Sequence, residues 1–256
     1  MKQIKTIIWI AIPVVLCLFS TASTAQDATE IIKKADQKWN GEKSSRGQMT
    51  MTIVRPEWKR TIVFKVWTLG DAYSMTLITK PAKEAGQTFL KREKEMWNWM
   101  PSIGRMIKLP PSMMGDGWMG SDYTNDDILK ESSMVTDFVH TIIKEETIDE
   151  IPCWVIEMKP KEDAAIVWGK VVKWISKDEE YLMLKSTYYD EDDILVKTEY
   201  GKEIKDIGGR KLPTRIEIIP AEKDNQKTIL ITNEIEFNIP IKSGFFSQQQ
   251  MKRLRK

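Results

Sequence analysis

Residues 49–53 alternate apolar and polar side chains, with Met49, Met51 and Ile53 set against Thr50 and Thr52, and Pro56 closes the run. A period of two sends alternate side chains to opposite faces, so this stretch predicts a strand with one dry face. Ile62, Phe64 and Val66 repeat the pattern up to a turn at Leu69-Gly70-Asp71. Short strands are expected next at 73–79, 87–91, 95–100 and 106–109, with a charged turn running from Lys91 to Lys94. Further on, the same alternation predicts strands at 138–145, 153–159, 167–176, 182–189, 194–204, 212–219 and 228–237. Their turns are marked by clusters such as Gly208-Gly209 and Lys223-Asp224-Asn225.

Helical spacing occurs twice. Over 27–39, Asp27 fits an N-cap, Glu30 fits a capping box, and Ile31, Ile32, Ala35 and Trp39 share a face until Gly41 stops the helix. Over 124–130, Thr124 and Asp127 form a second capping-box pattern. Many short strands and two small helices describe an antiparallel sandwich or barrel. No linker or composition break divides residues 26–256, which are expected to form one domain. Thin helical cover over a half-apolar sheet predicts a cavity.

One window breaks the pattern. Residues 95–127 hold three tryptophans (Trp97, Trp99, Trp118) and six methionines, Met113, Met114 and Met119 among them. Pro110, Pro111, Gly115, Gly117 and Gly120 exclude a regular strand or long helix over 110–120. An apolar loop flanked by glycines is suited to swing as a lid over a dry cleft. Methionine and tryptophan also fit irregular apolar ligands, one by bending and the other by its breadth. Met49, Met51, Phe64, Trp97 and Trp99 would serve equally well as ordinary core.

The N-terminus changes the compartment. Lys2 and Lys5 precede an apolar stretch over 7–19, and Ser23-Thr24-Ala25 forms a small-residue cleavage site, so residues 1–25 are expected to be a signal peptide and the body periplasmic. Leu16 stands where a lipid-attachment motif wants a small residue, which argues against anchoring at Cys17. Cleavage removes one of two cysteines, so Cys153 has no internal disulfide partner. It also removes two lysines from a net charge of +2, and a neutral body is no match for nucleic acid. The basic tail at 252–256 reads as a solvated terminus, with transient contact to anionic headgroups as the functional alternative.

Catalysis and metal binding find little support. His140 is the only histidine and sits in a strand pattern, and Cys153 follows a proline at a strand start. Neither offers a triad or a zinc site, so no catalytic residue, cofactor or metal is expected. Asp122, Asn125, Asp126 and Asp127 lack the glycine and the terminal glutamate of a calcium loop, and helix capping accounts for them better.

The run over 97–130, WNWMPSIGRMIKLPPSMMGDGWMGSDYTNDDILK, resembles a signature in one branch of the outer-membrane lipoprotein-sorting proteins, LolA-like and of the type that includes a treponemal membrane-associated lipoprotein. The resemblance extends over about 27–247. It implies a mainly β fold, an incomplete antiparallel β-barrel of roughly 11 strands with short lid helices round an apolar cavity. It further implies a non-enzymatic carrier of lipoprotein acyl chains or other lipids, moving cargo from an inner-membrane transporter to an outer-membrane acceptor. By the same resemblance Trp97, Trp99, Met113, Met114, Trp118 and Met119 would line or cover the cavity, beside Met49, Met51 and Phe64, and Arg105 would be a latch or headgroup contact. The long tryptophan-rich insertion leaves the cargo open between lipoprotein, phospholipid and another lipid. The alternative is an adaptor subunit of an envelope lipid or RND-type transporter, its apolar loop docking a protein partner.

Overall fold

The structure, a computed structural model, describes residues 27–254 except 42, 94, 126, 128–133, 163 and 165. The expected signal peptide, and with it Cys17, lies outside the described residues. One helix, α1 (Ala28–Asn40), precedes the strands β1 (Ser44–Val54), β2 (Lys59–Leu69), β3 (Tyr73–Lys80), β4 (Thr88–Arg92), β5 (Glu95–Met100) and β6 (Arg105–Lys108). The second half holds β7 (Phe138–Ile148), β8 (Ile151–Pro160), β9 (Lys170–Ser176) and β10 (Met183–Tyr189). It continues with β11 (Leu195–Ile207), β12 (Arg210–Pro220), β13 (Lys227–Phe237) and a short helix α2 (Gln248–Arg253).

All thirteen strands form a single antiparallel sheet in the order β6-β5-β4-β3-β2-β1-β13-β12-β11-β10-β9-β8-β7. The thirteen strands of the described residues correspond to the thirteen runs read from alternation, two more than the roughly 11 that the resemblance implies, and the open architecture stands because β6 and β7 end the sheet as unjoined edges. Every neighbour in this order is also a neighbour in sequence except β1 and β13. Their ladder runs from Ser45 opposite Phe237 to Val54 opposite Lys227, with one bulge at Gln48/Met49.

The connection from β6 to β7 joins one edge of the sheet to the other, and its described residues Trp118 and Tyr123 lie on the inner face. Asp27 caps α1 by accepting the Thr29 N–H at 2.9 Å, and the buried face of the helix carries Ile31, Ile32 and Ala35. These pack on Phe138, Trp154, Ile156, Met158, Val171 and Ile175, which roofs the β7–β9 end of the sheet. The other end is covered by the loop, whose Trp118 packs on Met51, Ile53, Ile62, Phe64, Ile78 and Phe89.

The outer face has its own cover, which the sequence reading missed. Residues 245–251, just before the basic tail, turn back through α2 and bury Phe246 and Met251 completely against Met75 and Leu90. Ser247 caps α2 by accepting from the Gln250 N–H. Residues 255–256 lie outside the described residues, and Lys252 and Arg253 are exposed.

Truncating Phe246 removes a fully buried aromatic ring, which costs about 3–5 kcal/mol. Phe246→Ala should lower the urea midpoint accordingly without altering the unfolding slope, since one side chain hardly changes the surface exposed on unfolding.

Candidate functional site

The registers of β1–β4 sort their side chains into cross-strand rows on the inner face. Met51 lies opposite Ile62; Met49 lies opposite Phe64, and Phe64 opposite Ile78. The next row holds Gly47, Val66, Thr76 and Phe89, and the last holds Ser45, Thr68, Ser74 and Lys91. The inner surface thus passes from wholly apolar to polar within a few residues along each strand.

Two neighbouring hollows lie between this face and its covers. The larger, about 200 Å³, is lined by Met49, Met51, Phe64, Val66, Trp118 and Leu230, with the Ser45–Lys91 row at its polar end. The smaller, about 90 Å³, lies under α1 among Met134, Phe138, Met158, Val171 and Met183, with Lys173, Lys185 and Glu199 as polar members. Trp39 and Tyr123 belong to the walls of both.

Trp118 is held over the larger hollow by stacking and by a tight loop. Its ring meets Phe64 edge-on at 5.7 Å and Phe89 at 5.3 Å. Its backbone N–H donates to Tyr123 O at 2.6 Å, and the Ser121 hydroxyl donates to Trp118 O at 2.7 Å. Met119 adopts a left-handed backbone, φ +56°, unusual for a side chain of its size. The indole N–H of Trp118 is buried and meets no acceptor among the described residues.

Polar fastenings tie this loop to the sheet. Arg55 donates to both Asp122 carboxylate oxygens at 3.1 Å and to Gly120 O, a fork geometry suited to carboxylate. The Thr228 hydroxyl donates to Asp122 at 2.6 Å, and Arg60 donates to Met119 O. Further along, Lys197 pairs with Asp127 at 2.6 Å, both side chains being nearly or wholly buried. The Lys197 ammonium also faces the rings of Tyr123, Trp168 and Tyr188. Asp127 and Thr124 exchange the two hydrogen bonds of the expected capping box, although most of the helix predicted over 124–130 lies outside the described residues.

Several candidates fall elsewhere. Trp97 and Trp99 stand opposite Leu90 and Thr88 on the outer face, packed in the cluster of Phe246 and Met251. Period-two alternation identified the strand but not which of its faces turns inward. Met113 is 42 % exposed and Met114 half-buried, so the loop sends in Trp118 and partly Met119, not its methionine pair. Arg105 is exposed on edge strand β6, and the fastening arginines are Arg55 and Arg60. Lys91, read as part of a charged turn, is a buried strand residue. The signal was present: Lys91 shares a face with Phe89 two residues before it.

The remaining reactive groups are built into the packing. His140 bridges α1 and β7: Nε2–H donates to Met134 O at 2.8 Å, and Nδ1 accepts from the Thr29 hydroxyl at 3.2 Å. Burial lowers its pKa below the ordinary 6.5. Burial likewise pushes the Cys153 thiol up to about 11, away from the thiolate a nucleophile needs.

A protein-family model described as "Uncharacterized protein" matches residues 70–253. The chain belongs to that family. No curated protein matches it. Solved structures share the fold over nearly their whole length. A DUF1329 family protein from Desulfovibrio piger is 22% identical, with a TM-score of 0.79, over 88% of this chain and 97% of its own. A LolA superfamily protein from Nitrosomonas europaea is 23% identical, TM-score 0.74, over 87% and 98%. A domain from Vibrio parahaemolyticus named for outer membrane lipoprotein sorting is 21% identical, TM-score 0.77, over 88% and 98%. The chain therefore shares the fold of these proteins, an open antiparallel β sheet with few short helices.

Asp36 of α1 is the most perturbed carboxyl near the site. Burial, then repulsion from Asp71, raises its pKa from 3.8 to about 6, against a hydrogen bond from Asn40 and attraction from Lys173 and Lys91. A raised carboxyl pKa means that the folded state holds the proton more tightly than the unfolded chain. The stability this contributes is present below the ordinary value and is lost as the pH climbs through 6. A shift of this size is worth about 3 kcal/mol, so Asp36→Asn should be more stable than wild type at pH 8 by up to that amount. The gain should vanish towards pH 4, which thermal melts at the two pH values will show.

Proposed function

We propose that the protein is a periplasmic carrier that takes lipoprotein acyl chains or other lipids into the hollow beneath Trp118 and passes them toward the outer membrane. The observation that carries this reading is the apolar inner surface of β1, β2 and β13, left unfilled between the sheet and the loop that carries Trp118. Transfer of an alkyl chain from water to such a surface is favourable by about 0.8 kcal/mol per CH₂. A short stretch of chain in contact with Met49, Met51 and Leu230 therefore gives useful affinity. Methionine walls yield to chains of different shape, which suits release as well as capture.

The carrier reading assigns the chain no catalytic role. Export by the N-terminal segment, an inner-membrane donor and an outer-membrane acceptor belong to the same proposal. The fold shared with the LolA superfamily proteins supports it, as does the polar fastening of the loop. Arg55–Asp122 and Lys197–Asp127 are contacts that an opening lid would break and remake.

The exposed apolar side chains Ile103, Ile107 and Met113 favour a second reading, in which the β5–β6 edge and the loop after it dock a protein partner of an envelope transporter. A photo-crosslinker at Met113 separates the two. Adducts with one protein species and none with lipid would replace carriage by docking.

Protein purified from the periplasm should release lipid on denaturation, detected by mass spectrometry. Val66→Trp fills the larger hollow and should weaken uptake of a fluorescent acyl probe by at least about tenfold, each 1.4 kcal/mol being one decade. Trp97→Ala, on the opposite face, should leave uptake unchanged. Normal loading in the Val66 variant would place the cargo elsewhere.

A further inference from the structure

The strands place their turns at two ends of the sheet, and the exposed apolar side chains favour one of them. We propose that this end, along β1–β6, docks on anionic phospholipid bilayers. Trp58 and Ile103 enter the headgroup layer, and Lys59, Lys80, Lys83 and Arg105 meet the phosphates. The inference rests on the carrier reading and adds to it the surface by which the carrier meets a membrane.

Consecutive antiparallel strands turn at alternate ends, so the β1–β2, β3–β4 and β5–β6 turns share one end of the sheet. Val54 lies opposite Lys227, which puts the β12–β13, β10–β11 and β8–β9 connections at that end as well. Among the described residues, the large apolar side chains exposed in connections between neighbouring strands are Trp58, Ile103, Val167 and Ile194. All four belong to this end. Trp58 is 50 % exposed and Ile103 57 %. Both sit in closed turns: the Arg55 N–H donates to Trp58 O at 2.9 Å, and the Ile103 N–H donates to Met100 O at 3.3 Å. Their exposure is set by the backbone and is not that of a frayed end.

The three turns of the β1–β6 half touch one another. Arg60, next to Lys59, pairs with Glu84, next to Lys83, at 2.7 Å. Gly86 lies against Pro101, so close that an added Cβ would stand 3.4 Å from the proline Cγ. Trp58 and Ile103 are therefore the outer tips of one rim, with Lys80 and Lys83 on the turn between them.

The charge of the rim selects the partner. Glu84 and Asp122 are engaged by Arg60 and Arg55. Glu57 is then the one exposed carboxylate of these turns, against the exposed Lys59, Lys80, Lys83 and Arg105. The other half of the same end has the opposite sign, with Glu191, Asp192 and Asp193 exposed beside Ile194. An anionic surface thus draws in the β1–β6 half and repels the other. Single apolar tips separated by lysines suit a headgroup layer, where an indole and a long lysine stem each keep a polar end wet. The core of a protein interface is depleted in lysine, which favours lipid over a folded partner. The lid is fastened at this rim too, since Arg60 donates to Met119 O and Arg55 to Gly120 O. A docked bilayer therefore lies beside the loop that covers the larger hollow.

Flotation with phosphatidylcholine vesicles, with and without phosphatidylglycerol, tests the surface. Wild type should bind the anionic vesicles at least about tenfold more strongly, and added salt should weaken that binding. A lysine at an anionic surface is worth about a fivefold factor. Lys59→Gln, Lys80→Gln and Lys83→Gln combined should therefore lower binding by more than about tenfold. Trp58→Ser with Ile103→Ser, which leaves the charges in place, should lower it by a similar factor. These substitutions alter exposed side chains, and circular dichroism and acyl-probe uptake in solution should match wild type in both variants. Ile194→Ser on the acidic half, and Lys252→Gln with Arg253→Gln at the tail, should leave vesicle binding unchanged. Equal binding to the two kinds of vesicle, or a loss confined to the tail variant, overturns the proposal; normal acyl uptake in the same protein leaves the carrier reading standing. A photo-crosslinker at Ile103 that captures one envelope protein and no lipid overturns it in favour of protein docking. Wild type that floats with anionic vesicles but takes up no acyl probe supports the surface and fails the carrier reading alone.

Discussion

The ladder between β1 and β13 is the constraint on which everything else in the molecule depends. All other strand pairs are sequence neighbours that a hairpin can form locally. This one joins residues close to 190 positions apart, Ser45 with Phe237 at one end, and must overcome the entropy of closing the longest loop in the fold. Once formed, it sets two meanders side by side as one sheet and sends β6 and β7 to opposite margins. The segment that joins those margins sends Trp118 onto the inner face, where it packs on Phe64 and Phe89.

Strand existence was legible because a half-buried strand writes its geometry into the sequence: Met49-Thr50-Met51-Thr52-Ile53 has one reading. The number of strands was legible in the alternation, and the open architecture came with the resemblance of the run over 97–130. Facing was not legible. Trp97 and Trp99 looked like cavity wall because they sit in the apolar window, yet the side chains that cover them, Phe246 and Met251, lie some 150 residues later, just before the basic terminus. Alternation tells which residues share a face. It does not tell which face is in, and a sheet covered on both sides defeats the rule that apolar means interior cavity.

Charged residues were misread for the same reason. Lys91 precedes Arg92 and Glu93 in a run that resembles a solvated turn, and only the cross-strand register places it beside Ser74. Asp122 and Asp127 were accounted for by helix capping alone, whereas Arg55 and Lys197, distant in sequence, use them to fasten the loop. Partners so far apart leave no local pattern. What the window 95–127 did convey was that something apolar crosses a gap. Trp118, wedged between Phe64 and Phe89, is the side chain that does so.

The unjoined margins carry a consequence of their own. An open sheet of thirteen strands exposes two rows of backbone donors and acceptors, each a template on which another copy could lengthen the sheet into a fibril. Both rows are blunted. The β6 strand is only four residues long and bears Arg105 and Lys108, and β7 is kinked by a bulge at Ile142/Lys144 beside the exposed Lys144 and Glu145. Charge and shortness at the rims let the molecule keep the gap that a closed barrel would lack without its copies stitching to one another.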